Sequence, residues 1–286
     1  MIGFIGLGVM GEPICRHVAS KSRKPVYAYD VAPGRAERLA GAGVKAAAGV
    51  REIAERCDTV FLSLPGAAEV KQVCVGRASL LSRLRPATYV IDLSTTPVAL
   101  ARELEARFAA RGIHFIDAPV ARTRAAAEAG TLSVMVGCKP ALFARVKPLL
   151  QYFATDVMRC GPAGAGQAMK LLNNMLLFQN VVALAEALAV IRRLGLKPAK
   201  ALEVLAKGSA DSFALRHHAM KAMLPERYPE HAFPVDYALK DAAYALELGK
   251  LARVDLTGLK NARALLEKAA AAGYAKQYFP VVAKII

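Results

Sequence analysis

Several kinds of site are missing from this sequence, and their absence limits what the protein can do. Its five cysteines form no CxxC pair and have no histidine at metal-ligand spacing: Cys15, Cys57, Cys74, Cys138 and Cys160. The pattern predicts reduced, apolar cysteine side chains and no bound metal. No charged segment or cleavage site precedes the strand-like run that follows Met1. We therefore expect a cytoplasmic protein.

Acidic residues are also scarce, with 23 Asp and Glu against 39 Lys and Arg, and the formal net charge is +16. Such a charge favours anionic partners, which include nucleic acid, an acidic membrane surface, and small anions such as dinucleotides and carboxylates. Nucleic acid is disfavoured because the sequence has no basic run interleaved with aromatics and no zinc-finger spacing. The apolar stretch at residues 175–191 contains Gln179, Asn180 and Glu186, which predicts a buried helix and no membrane span.

Short apolar runs alternate with helical patterns up to about residue 160. The predicted strands are IGFI (2–5), VYAY (26–29), VFLSL (60–64), YVIDL (89–93), HFID (114–117) and SVMV (133–136). Between them, segments such as PVALARELEARFAARG place apolar residues at helical spacing. This order predicts an α/β domain, residues 1–162, with a doubly wound parallel sheet and helices on both faces.

The pattern changes at GPAGAG, residues 161–166, a glycine-rich joint. From there to Arg193 the sequence is helix-forming and apolar, which predicts a helix about 45 Å long at about 1.5 Å per residue. Because this helix is apolar almost all round, we expect it to be buried on several sides. The rest of the chain is predicted to wrap round it as an all-α domain, residues 163–286, that forms a homodimer or homotetramer.

The first predicted strand leads into GFIGLGVMG, whose last three glycines form a G-x-G-x-x-G pattern at the start of a helix. Glycine permits the tight turn and the close approach of a pyrophosphate, to which the helix N-terminus offers N–H groups. The segment is therefore interpreted as the dinucleotide loop of a Rossmann-type domain. Its predicted cofactor contacts are Gly6, Leu7, Gly8, Val9, Met10 and Gly11.

Asp30 ends the second predicted strand, where an acidic side chain can accept hydrogen bonds from both ribose hydroxyls of NAD. Its charge would repel the 2′-phosphate of NADP, so NAD(H) is the predicted cofactor. Arg35 lies close enough in sequence to offset part of that repulsion. The alternative role for Asp30 is that of a turn residue before the Ala-Pro-Gly segment at 32–34.

Three polar residues share one face of the long apolar helix, because Gln167, Lys170 and Asn174 stand at i, i+3 and i+7. Burying an ammonium and an amide without partners is costly, although Lys170 could instead extend to solvent near the helix start. With a dinucleotide domain upstream, we favour a cleft between the domains. There Lys170, its pKa lowered by partly desolvated surroundings, would exchange a proton with the substrate hydroxyl, and Asn174 would hold the substrate.

Seven motifs occur in the order found in one enzyme family: GFIGLGVMG (3–11), FLSLP (61–65), IDLSTTP (91–97), DAPV (117–120), GTLSVMVG (130–137), GxGQxxKLxNN (164–174) and LKDAAYALELG (239–249). They cover nearly the whole chain, which resembles the β-hydroxyacid dehydrogenase family that includes 3-hydroxyisobutyrate dehydrogenase. The resemblance implies hydride transfer between NAD(H) and a small hydroxy acid or its semialdehyde. Imine reductases are similar but usually lack the lysine found here at position 170.

The resemblance also implies roles for individual residues. Lys170 corresponds to the catalytic acid/base and Asn174 to a substrate-binding residue. Lys240 corresponds to a lysine beside the nicotinamide, although by itself it would be interpreted as a solvated helix residue. The other positions implied to contact the cofactor are Leu64, Pro65, Thr95 and Phe233.

The segment after DAPV departs from the family pattern DxPVSGG, since Ala121, Arg122 and Thr123 replace the serine and two glycines. Arg122 offers a permanent cation with forked donors for a carboxylate, sulfonate or phosphate, and Thr123 offers a hydroxyl. The segment is similar to that of sulfolactaldehyde reductases and γ-hydroxybutyrate dehydrogenases, also called succinic semialdehyde reductases. We predict that residues 121–123 bind the substrate anion and that Arg124 is solvated or faces the cofactor. The alternative is that both arginines face solvent.

The C-terminal end also departs from the family pattern. Where the family often has GxGxxDxSA, this chain has GYAKQYFPVV, with Tyr278 and Pro280 at the Asp and Ser positions. Two alternatives to a hydroxyacid dehydrogenase stay open from the sequence. One is an imine reductase, and the other is a basic protein that uses a dinucleotide fold as a scaffold for binding nucleic acid.

Overall fold

The structure is a computed structural model that describes residues 1–77, 79–230 and 232–286. The chain divides into two compact units, Met1–Lys170 and Leu171–Ile286. The division falls inside one long helix, so that helix contributes its first turns to one unit and the remainder to the other. The domain boundary expected after residue 162 stays a prediction.

Within the described residues, the first unit contains a sheet of nine strands. They are β1 (Ile2–Ile5), β2 (Val26–Tyr29), β3 (Val44–Ala46), β4 (Thr59–Leu62), β5 (Tyr89–Asp92), β6 (His114–Asp117), β7 (Val120–Ala121), β8 (Leu132–Gly137) and β9 (Ala154–Gly161). The helices are α1 (Gly11–Lys21), α2 (Val50–Arg56), α3 (Ala67–Val75), α4 (Leu80–Arg83), α5 (Val98–Ala109), α6 (Arg124–Ala129) and α7 (Pro140–Leu150), with a 3-10 turn at Glu37–Ala42. The strands form where β-branched and aromatic residues are concentrated in short runs.

The strands lie in the order β3-β2-β1-β4-β5-β6-β8-β7, and β9 pairs with β8. Strands β1 to β6 pair in parallel, with Gly3 opposite Tyr27 in β2 and opposite Val60 in β4. The expected doubly wound parallel sheet is therefore confirmed over residues 2–117. The strand order reverses between β1 and β4, and the carboxyl ends of such neighbouring strands border the crevice in which α/β sheets bind ligands.

Strand β8, which contains the SVMV run, differs from the expected parallel arrangement. It runs antiparallel to β6 and β7, with Val120 opposite Val134 and Ala121 opposite Ser133. A parallel return needs a crossover of about a dozen residues or more, whereas only the short helix α6 separates β7 from β8. The chain therefore turns back on itself at this edge, and β9 then adds in parallel to β8.

Both faces of the sheet are covered by apolar side chains. On one face Phe4 and Phe61 stack with ring centroids 5.9 Å apart, and Phe153 meets Phe61 edge-on. On the other face Phe108 of α5 packs against Phe115 of β6 with centroids 5.6 Å apart. All five rings are buried. Close-packed interiors of this kind keep the strand ends, and the loops that follow them, in fixed positions.

The second unit is helical, as expected. Helix α8 (Ala165–Arg193) continues into it and is followed by α9 (Pro198–Leu205), α10 (Val235–Ala252) and α11 (Thr257–Ala269). Shorter turns lie at Leu215–Met223, Ala270–Tyr274 and Phe279–Lys284. The prediction of a long helix that reaches Arg193 is confirmed.

Helix α8 is less buried than its apolar composition predicts. Met169 is 46 %, Leu176 57 % and Val190 56 % exposed, and they share one side because they recur at multiples of seven residues. We call these three residues the α8 stripe. On this side α8 is exposed, which differs from the expected burial on several sides. Within the part of the chain that the structure describes, α8 is also the one helix long and apolar enough to cross a membrane. Core helices of water-soluble proteins pass the same test, so this finding is weak evidence.

Candidate active site

The three glycines of the first loop serve different geometric needs. Gly6 adopts a φ of 94°, and a Cβ there would collide with the carbonyl oxygen of Ser63. A Cβ at Gly11, the first residue of α1, would collide with the Gly6 carbonyl oxygen. Gly8 has no atom within 4 Å of its Cβ position, which leaves room for a ligand at the helix N-terminus. The loop thus has the shape that a bound pyrophosphate requires.

Asp30 fixes the glycine loop through backbone hydrogen bonds. The Leu7 N–H donates to Asp30 Oδ2 at 2.6 Å, and the Ala32 N–H donates to Oδ1 at 2.8 Å. Arg35 Nη1 lies 3.4 Å from the same Oδ2. The carboxylate therefore stands beside the loop, where a ribose-binding residue is needed. The turn role is present as well, because the Ala32 bond closes an Asx-turn.

The other expected cofactor contacts near this loop differ in exposure. Leu7 is buried in the core and offers only its backbone, whereas Val9 is 44 % exposed. Met10 and Thr95 are partly buried, and Pro65 is exposed. Val9 and Pro65 are thus the most accessible side chains of this group to a ligand.

Ser94 joins the loops that follow β4 and β5. Its Oγ accepts a hydrogen bond from the Leu64 N–H at 2.9 Å, and its own N–H donates to Asp92 Oδ1 at 3.0 Å. Its carbonyl accepts from Gln167 Nε2 at 2.8 Å, while Gln167 Oε1 accepts from the Thr96 N–H at 3.0 Å. Gln167 is fully buried. The first polar residue of the α8 face is therefore anchored to the segment that carries expected cofactor contacts.

A second anchor, which was not predicted from the sequence, is Asp117 at the end of β6. Its carboxylate accepts hydrogen bonds from the Gly164 N–H at 2.8 Å and the Gln167 N–H at 3.0 Å, so it caps the start of α8. Burial raises the pKa of this carboxyl to about 6, against the opposing effect of the backbone hydrogen bonds. A Cβ at Gly137 or Gly166 would crowd the carboxylate. The signal available in the sequence was the aspartate of DAPV, directly after an apolar run.

Lys170 lies on α8 one turn after Gln167 and is partly buried. Within the second unit, Asn174 Nδ2 donates a hydrogen bond to Asp241 Oδ2 at 2.7 Å. The other oxygen of Asp241 lies 2.8 Å from Lys240 Nζ. One buried carboxylate therefore holds both the amide expected to bind substrate and the ammonium expected near the nicotinamide. In the sequence, Asp241 is one residue of the LKDAAYALELG motif, and its position between Asn174 and Lys240 was not predicted.

Lys240 is enclosed by aromatic rings. Its Nζ lies 5.6 Å from the ring centroid of Tyr237 and 5.1 Å from that of Tyr244. The side chain is 24 % exposed. Two cation–π contacts and the Asp241 carboxylate hold the ammonium in one place, which differs from the solvated helix residue that the isolated sequence indicates.

The C-terminal segment fixes the start of α10. The Phe279 N–H donates to the Phe233 carbonyl at 2.9 Å, and the Val235 N–H donates to the Gln277 carbonyl at 3.0 Å. The Phe233 ring also stacks on Phe178, with centroids 6.2 Å apart. Phe233 is therefore a packing residue at the start of the helix that carries Lys240.

Tyr278 stands where the family pattern has an aspartate, and it has an internal partner. Its hydroxyl and His218 Nδ1 share a hydrogen bond of 2.6 Å. Burial lowers the pKa of His218 to about 4, and the neighbouring His217 adds to that shift. Burial also raises the pKa of Tyr278. The departure from the family pattern thus forms a buried polar contact inside the second unit.

Arg122 is held by protein groups. It adopts a φ of 86°, its Nη1 donates to the Thr131 carbonyl at 2.6 Å, and its Nη2 lies 2.7 Å from Asp156 Oδ2. Its side chain is nevertheless 41 % exposed. The structure pairs this guanidinium with a carboxylate of β9, and the substrate-clamp role stays a prediction.

The neighbours of Arg122 have structural contacts of their own. Ala121 is buried and pairs with β8. The Thr123 hydroxyl accepts a hydrogen bond from the Ala126 N–H at 3.4 Å and so caps α6. Arg124 pairs with Glu128 at 2.8 Å and lines a cavity beside the glycine loop. Of the two arginines, Arg124 is therefore the one near the expected cofactor site.

Two family models match adjacent parts of the chain. Residues 1–161 match the model described as the NAD binding domain of 6-phosphogluconate dehydrogenase. Residues 164–286 match the model described as NAD-binding of NADP-dependent 3-hydroxyisobutyrate dehydrogenase. The order of the two matches follows the order of the two units.

Named relatives match over nearly the full length. The chain is 34 % identical over 284 residues to 2-(hydroxymethyl)glutarate dehydrogenase of Eubacterium barkeri, covering 99 % of this chain and 94 % of that protein. It is 30 % identical over 289 residues to the NAD-dependent L-serine dehydrogenase of Pseudomonas aeruginosa, covering 99 % and 97 %. The solved structure of Mycobacterium tuberculosis 3-hydroxyisobutyrate dehydrogenase with L-serine matches with a TM-score of 0.90 at 30 % identity, covering 99 % and 98 %. The chain belongs to the β-hydroxyacid dehydrogenase family.

This β-hydroxyacid dehydrogenase is an NAD-dependent hydroxyacid dehydrogenase. The resemblance drawn from its motifs is confirmed, and NAD(H) as cofactor is confirmed with it. An imine reductase of Myxococcus stipitatus in complex with NADP+ matches with a TM-score of 0.67 at 17 % identity, covering 99 % of each chain, which shows a common fold alone. The expected absence of nucleic-acid binding stays a prediction.

Proposed function

We propose that the enzyme interconverts a small carboxylate bearing a primary alcohol and the corresponding aldehyde, and that Lys170 carries the proton. The compounds named in three relatives are 2-(hydroxymethyl)glutarate, L-serine and 3-hydroxyisobutyrate. Each has a CH₂OH group on the carbon that also bears a carboxylate. This shared unit supports a 3-hydroxy acid as the substrate class.

One observation carries the assignment of Lys170, namely the anchoring of its helix by Gln167. Two hydrogen bonds of 2.8 Å and 3.0 Å tie the buried Gln167 amide to the Ser94 carbonyl and the Thr96 N–H. Lys170 follows three residues later and so lies above Gln167 on the same helical face. A side chain on an anchored turn keeps its distance from the cofactor loop, which proton transfer requires.

The proton and the hydride leave the alcohol separately. NAD(H), when bound, supplies the capacity to accept or donate the hydride. In the oxidation direction the neutral Lys170 amine takes the hydroxyl proton while the C–H electron pair departs with its hydrogen as hydride. In the reduction direction the Lys170 ammonium returns a proton to the oxygen. One side chain therefore serves both directions, and each turnover converts one alcohol to one aldehyde with one hydride and one proton released.

Substrate binding is proposed for Asn174 and for residues 121–123. The Asn174 amide has two hydrogens, and its bond to Asp241 uses one of them. We propose that the second donates to a substrate oxygen. Arg122 would bind the substrate anion by exchanging its partner Asp156, a change of low cost because the ion pair is exposed. Because Arg122 could also bind a sulfonate or a second carboxylate, sulfolactaldehyde and succinic semialdehyde are the alternative substrates.

We also propose a cytoplasmic location and a homodimer or homotetramer. The exposed apolar side chains of the α8 stripe support association, because each is about half exposed and would gain roughly half of the 1.5–3 kcal/mol that full burial of a large apolar side chain is worth. The net charge of +16 favours small anionic substrates over neutral ones in the encounter step.

The test is a substrate panel read by NADH absorbance. NAD+ reduction would be measured with 3-hydroxyisobutyrate, L-serine and 2-(hydroxymethyl)glutarate, and NADH oxidation with succinic semialdehyde and sulfolactaldehyde. We expect a 3-hydroxy acid to be turned over best. Turnover confined to one of the two aldehydes of the second group would replace the proposed substrate class with that alternative.

The proton role of Lys170 is tested by Lys170→Ala. We expect kcat to fall by about 10²–10⁴-fold, because positioned acid/base groups contribute that much, while NADH affinity measured by fluorescence stays unchanged. Lys268→Ala is the matched control, since Lys268 is an exposed lysine in the last turn of α11. Retained kcat would overturn the assignment, and turnover of cyclic imines that survives Lys170→Ala would favour an imine reductase.

A further inference from the structure

Asp117 fits closely between strand β8 and the start of α8. Its side chain is buried, and a Cβ added at Gly137 of β8 or at Gly166 of α8 would crowd a carboxylate oxygen. The Gly164 N–H donates to Asp117 Oδ1 at 2.8 Å, and the Gln167 N–H donates to Oδ2 at 3.0 Å. The two oxygens of one side chain therefore attach the first turn of α8 to the end of β6.

Both hydrogen bonds depend on the ionised form of this side chain. A carboxylate accepts at each of its two oxygens, whereas a carboxylic acid carries a hydrogen on one of them and an asparagine has an NH₂ group in that place. Protonation, or the substitution Asp117→Asn, would therefore place a hydrogen opposite a backbone N–H. The first turn of α8 would then be held by one of these hydrogen bonds instead of two.

The ionised form of Asp117 lowers the stability of the fold. Burial raises the pKa of this carboxyl to about 6, and the backbone N–H groups oppose that effect only in part. At neutral pH the side chain is therefore charged, although its neutral form would make the folded state more stable. Buried groups with such shifted pKa values are concentrated at functional sites. A buried charge that destabilises the fold at neutral pH thus indicates a role other than stability.

Lys170 lies on the turn that Asp117 holds. It follows Gln167 by three residues, so both residues lie on one face of α8. The Gln167 side chain is bonded to the backbone of Ser94 and Thr96, whereas its main chain is bonded to Asp117. Because a side-chain amide can rotate about its own bonds, the main-chain contact fixes the helix backbone more directly. Lys170 extends from that backbone.

We infer that Asp117 is a positioning residue for Lys170, which holds the first turn of α8 as a carboxylate, and that its protonation lowers the turnover of the enzyme. The inference rests on the proposed proton role of Lys170. Asp117 binds backbone groups and acts through the lysine. A displacement of about 1 Å at a reacting group can cost about a hundredfold in rate, so a loosened first turn is sufficient for a measurable effect.

Other titratable or charged side chains surround Asp117. They are Asp92 opposite Asp117 on β5, Arg102 beside Gly164, Cys138 and Cys160 near the carboxylate, Arg159 at the Cys138 carbonyl, and Lys170. Burial raises the pKa of Cys138 to about 11 and also raises that of Cys160, so both thiols stay neutral below about pH 8. Arginine stays charged over the same range. Asp92 is the one carboxyl among these neighbours that could respond to acid in the same way.

The first test is the pH dependence of kcat in the reduction direction, with NADH and the aldehyde of the hydroxy acid that is turned over best. Reduction uses the Lys170 ammonium, which acid preserves, so a loss of kcat at low pH reports another group. We expect wild-type kcat to fall severalfold as the pH is lowered through about 6. Unfolding through this group does not explain such a loss, because protonation of Asp117 stabilises the fold.

Asp117→Asn should have a kcat about tenfold to a hundredfold below wild type at about pH 8, with no further fall at low pH. Glu52→Gln is the matched control, because Glu52 Oε2 also accepts a backbone N–H, that of Ala48, beside the start of α2. It should keep the wild-type profile. Urea unfolding and NADH fluorescence establish that each variant is folded and binds the cofactor. A fall at low pH that persists in Asp117→Asn would assign it to Asp92 or another group and overturn the inference.

A double-mutant cycle with Lys170→Ala separates positioning from a general weakening of the fold. If Asp117 acts through Lys170, Asp117→Asn should lower kcat by less than about twofold further in the Lys170→Ala enzyme. An equal loss in both backgrounds would overturn the inference. If Asp117→Asn does not fold, the wild-type profile decides, since a kcat that stays constant between about pH 5 and about pH 7 would also overturn it.

The same measurements distinguish this inference from the proposed function. Retained kcat in Lys170→Ala alone would refute the proton role of the lysine. Low kcat in Lys170→Ala together with wild-type kcat in Asp117→Asn would refute only the positioning role of Asp117.

Discussion

The glycine loop is held by a backbone hydrogen bond, whereas the 121–124 segment is held by the side chain of Arg122. In the loop, Gly6 adopts a φ of 94° and the Leu7 backbone N–H binds Asp30 directly. In the segment, Arg122 adopts a similar φ of 86° without being a glycine, and its guanidinium crosses to Asp156 on β9. Backbone contacts have one geometry, whereas a long exposed side chain can exchange its partner at low cost. The glycine loop therefore has one fixed conformation, whereas the guanidinium of Arg122 can exchange Asp156 for another anion.

A substitution that disturbs the backbone of the glycine loop should have the largest effect on stability and on NADH affinity. We expect Gly6→Ala to lower stability by about 3 kcal/mol, because it combines a positive φ with a collision against the Ser63 carbonyl. NADH affinity should fall by about a hundredfold or more as the loop is displaced. Urea unfolding and NADH fluorescence measure the two effects.

Gly41→Ala and Gly8→Ala are the controls for that experiment. Neither has an atom within 4 Å of the added Cβ, so both should leave unfolding unchanged. Gly8→Ala should still weaken NADH because its methyl group occupies the space next to the pyrophosphate. If Gly6→Ala left both stability and NADH affinity intact, the loop would not be fixed by its backbone.

The next effect concerns Asp117, which binds backbone N–H groups at the start of α8. Its pKa is about 6 in the folded protein against an ordinary value of 3.8, so the folded state binds the proton more tightly than the unfolded state. Stability from this group is present at low pH and is lost as pH rises from about 4 to about 6, by about 3 kcal/mol in total. Asp117→Asn should remove that slope from the pH dependence of the unfolding free energy.

The two proteins must be compared by the slope of unfolding free energy against pH. The absolute values differ as well, because Asp117→Asn loses part of the helix cap and is less stable at every pH. His218 acts in the opposite direction, since its pKa is lowered to about 4 and its contribution is lost as pH falls. Subtracting the variant curve from the wild-type curve isolates Asp117. A difference that stays constant between pH 4 and pH 7 would contradict the raised pKa.

Substitution of Arg122 in the 121–124 segment should have the smallest effect on the unfolding free energy. Arg122→Gly relieves a positive φ worth about 1–3 kcal/mol but loses an exposed ion pair worth about 0–1 kcal/mol and adds backbone freedom worth about 0.5–1 kcal/mol. We expect these opposing contributions to leave a net change between a loss of about 1 kcal/mol and a gain of about 2.5 kcal/mol in unfolding free energy. Arg122→Ala should be the less stable of the two variants, because it loses the pair and keeps the strain.

Kinetics of the same two variants decide whether Arg122 also holds substrate. If it binds the substrate anion, both variants raise KM for an anionic aldehyde far more than for a neutral one. If KM rises equally for the two aldehydes, the guanidinium serves only to tie the 121–124 segment to β9, and the substrate-clamp proposal is withdrawn.

The features that could be predicted from the sequence are those set by neighbouring residues. The GFIGLGVMG loop, the six apolar runs and helix α8 follow from local glycine placement, strand composition and helix propensity. The orientation of β8 and the α8 stripe depend on how elements pack against each other. The same holds for Gln167 with Ser94, Asp117 with Gly164 and Arg122 with Asp156, since each pair joins residues that are distant along the chain.

The hydrogen bonds of Ser94 indicate which parts of the site can change when the enzyme acquires a new substrate. Its N–H, its carbonyl and its hydroxyl are each committed to a different partner, namely Asp92, Gln167 and Leu64. Only the hydroxyl belongs to the side chain, so exchanging Ser94 for another residue would release the Leu64 N–H while both backbone hydrogen bonds persist. The loop after β5 is thus held mainly by backbone groups that any residue supplies, and we expect changes of substrate preference to come from side chains such as Arg122, whose ion pair with Asp156 is exposed and exchanged at low cost.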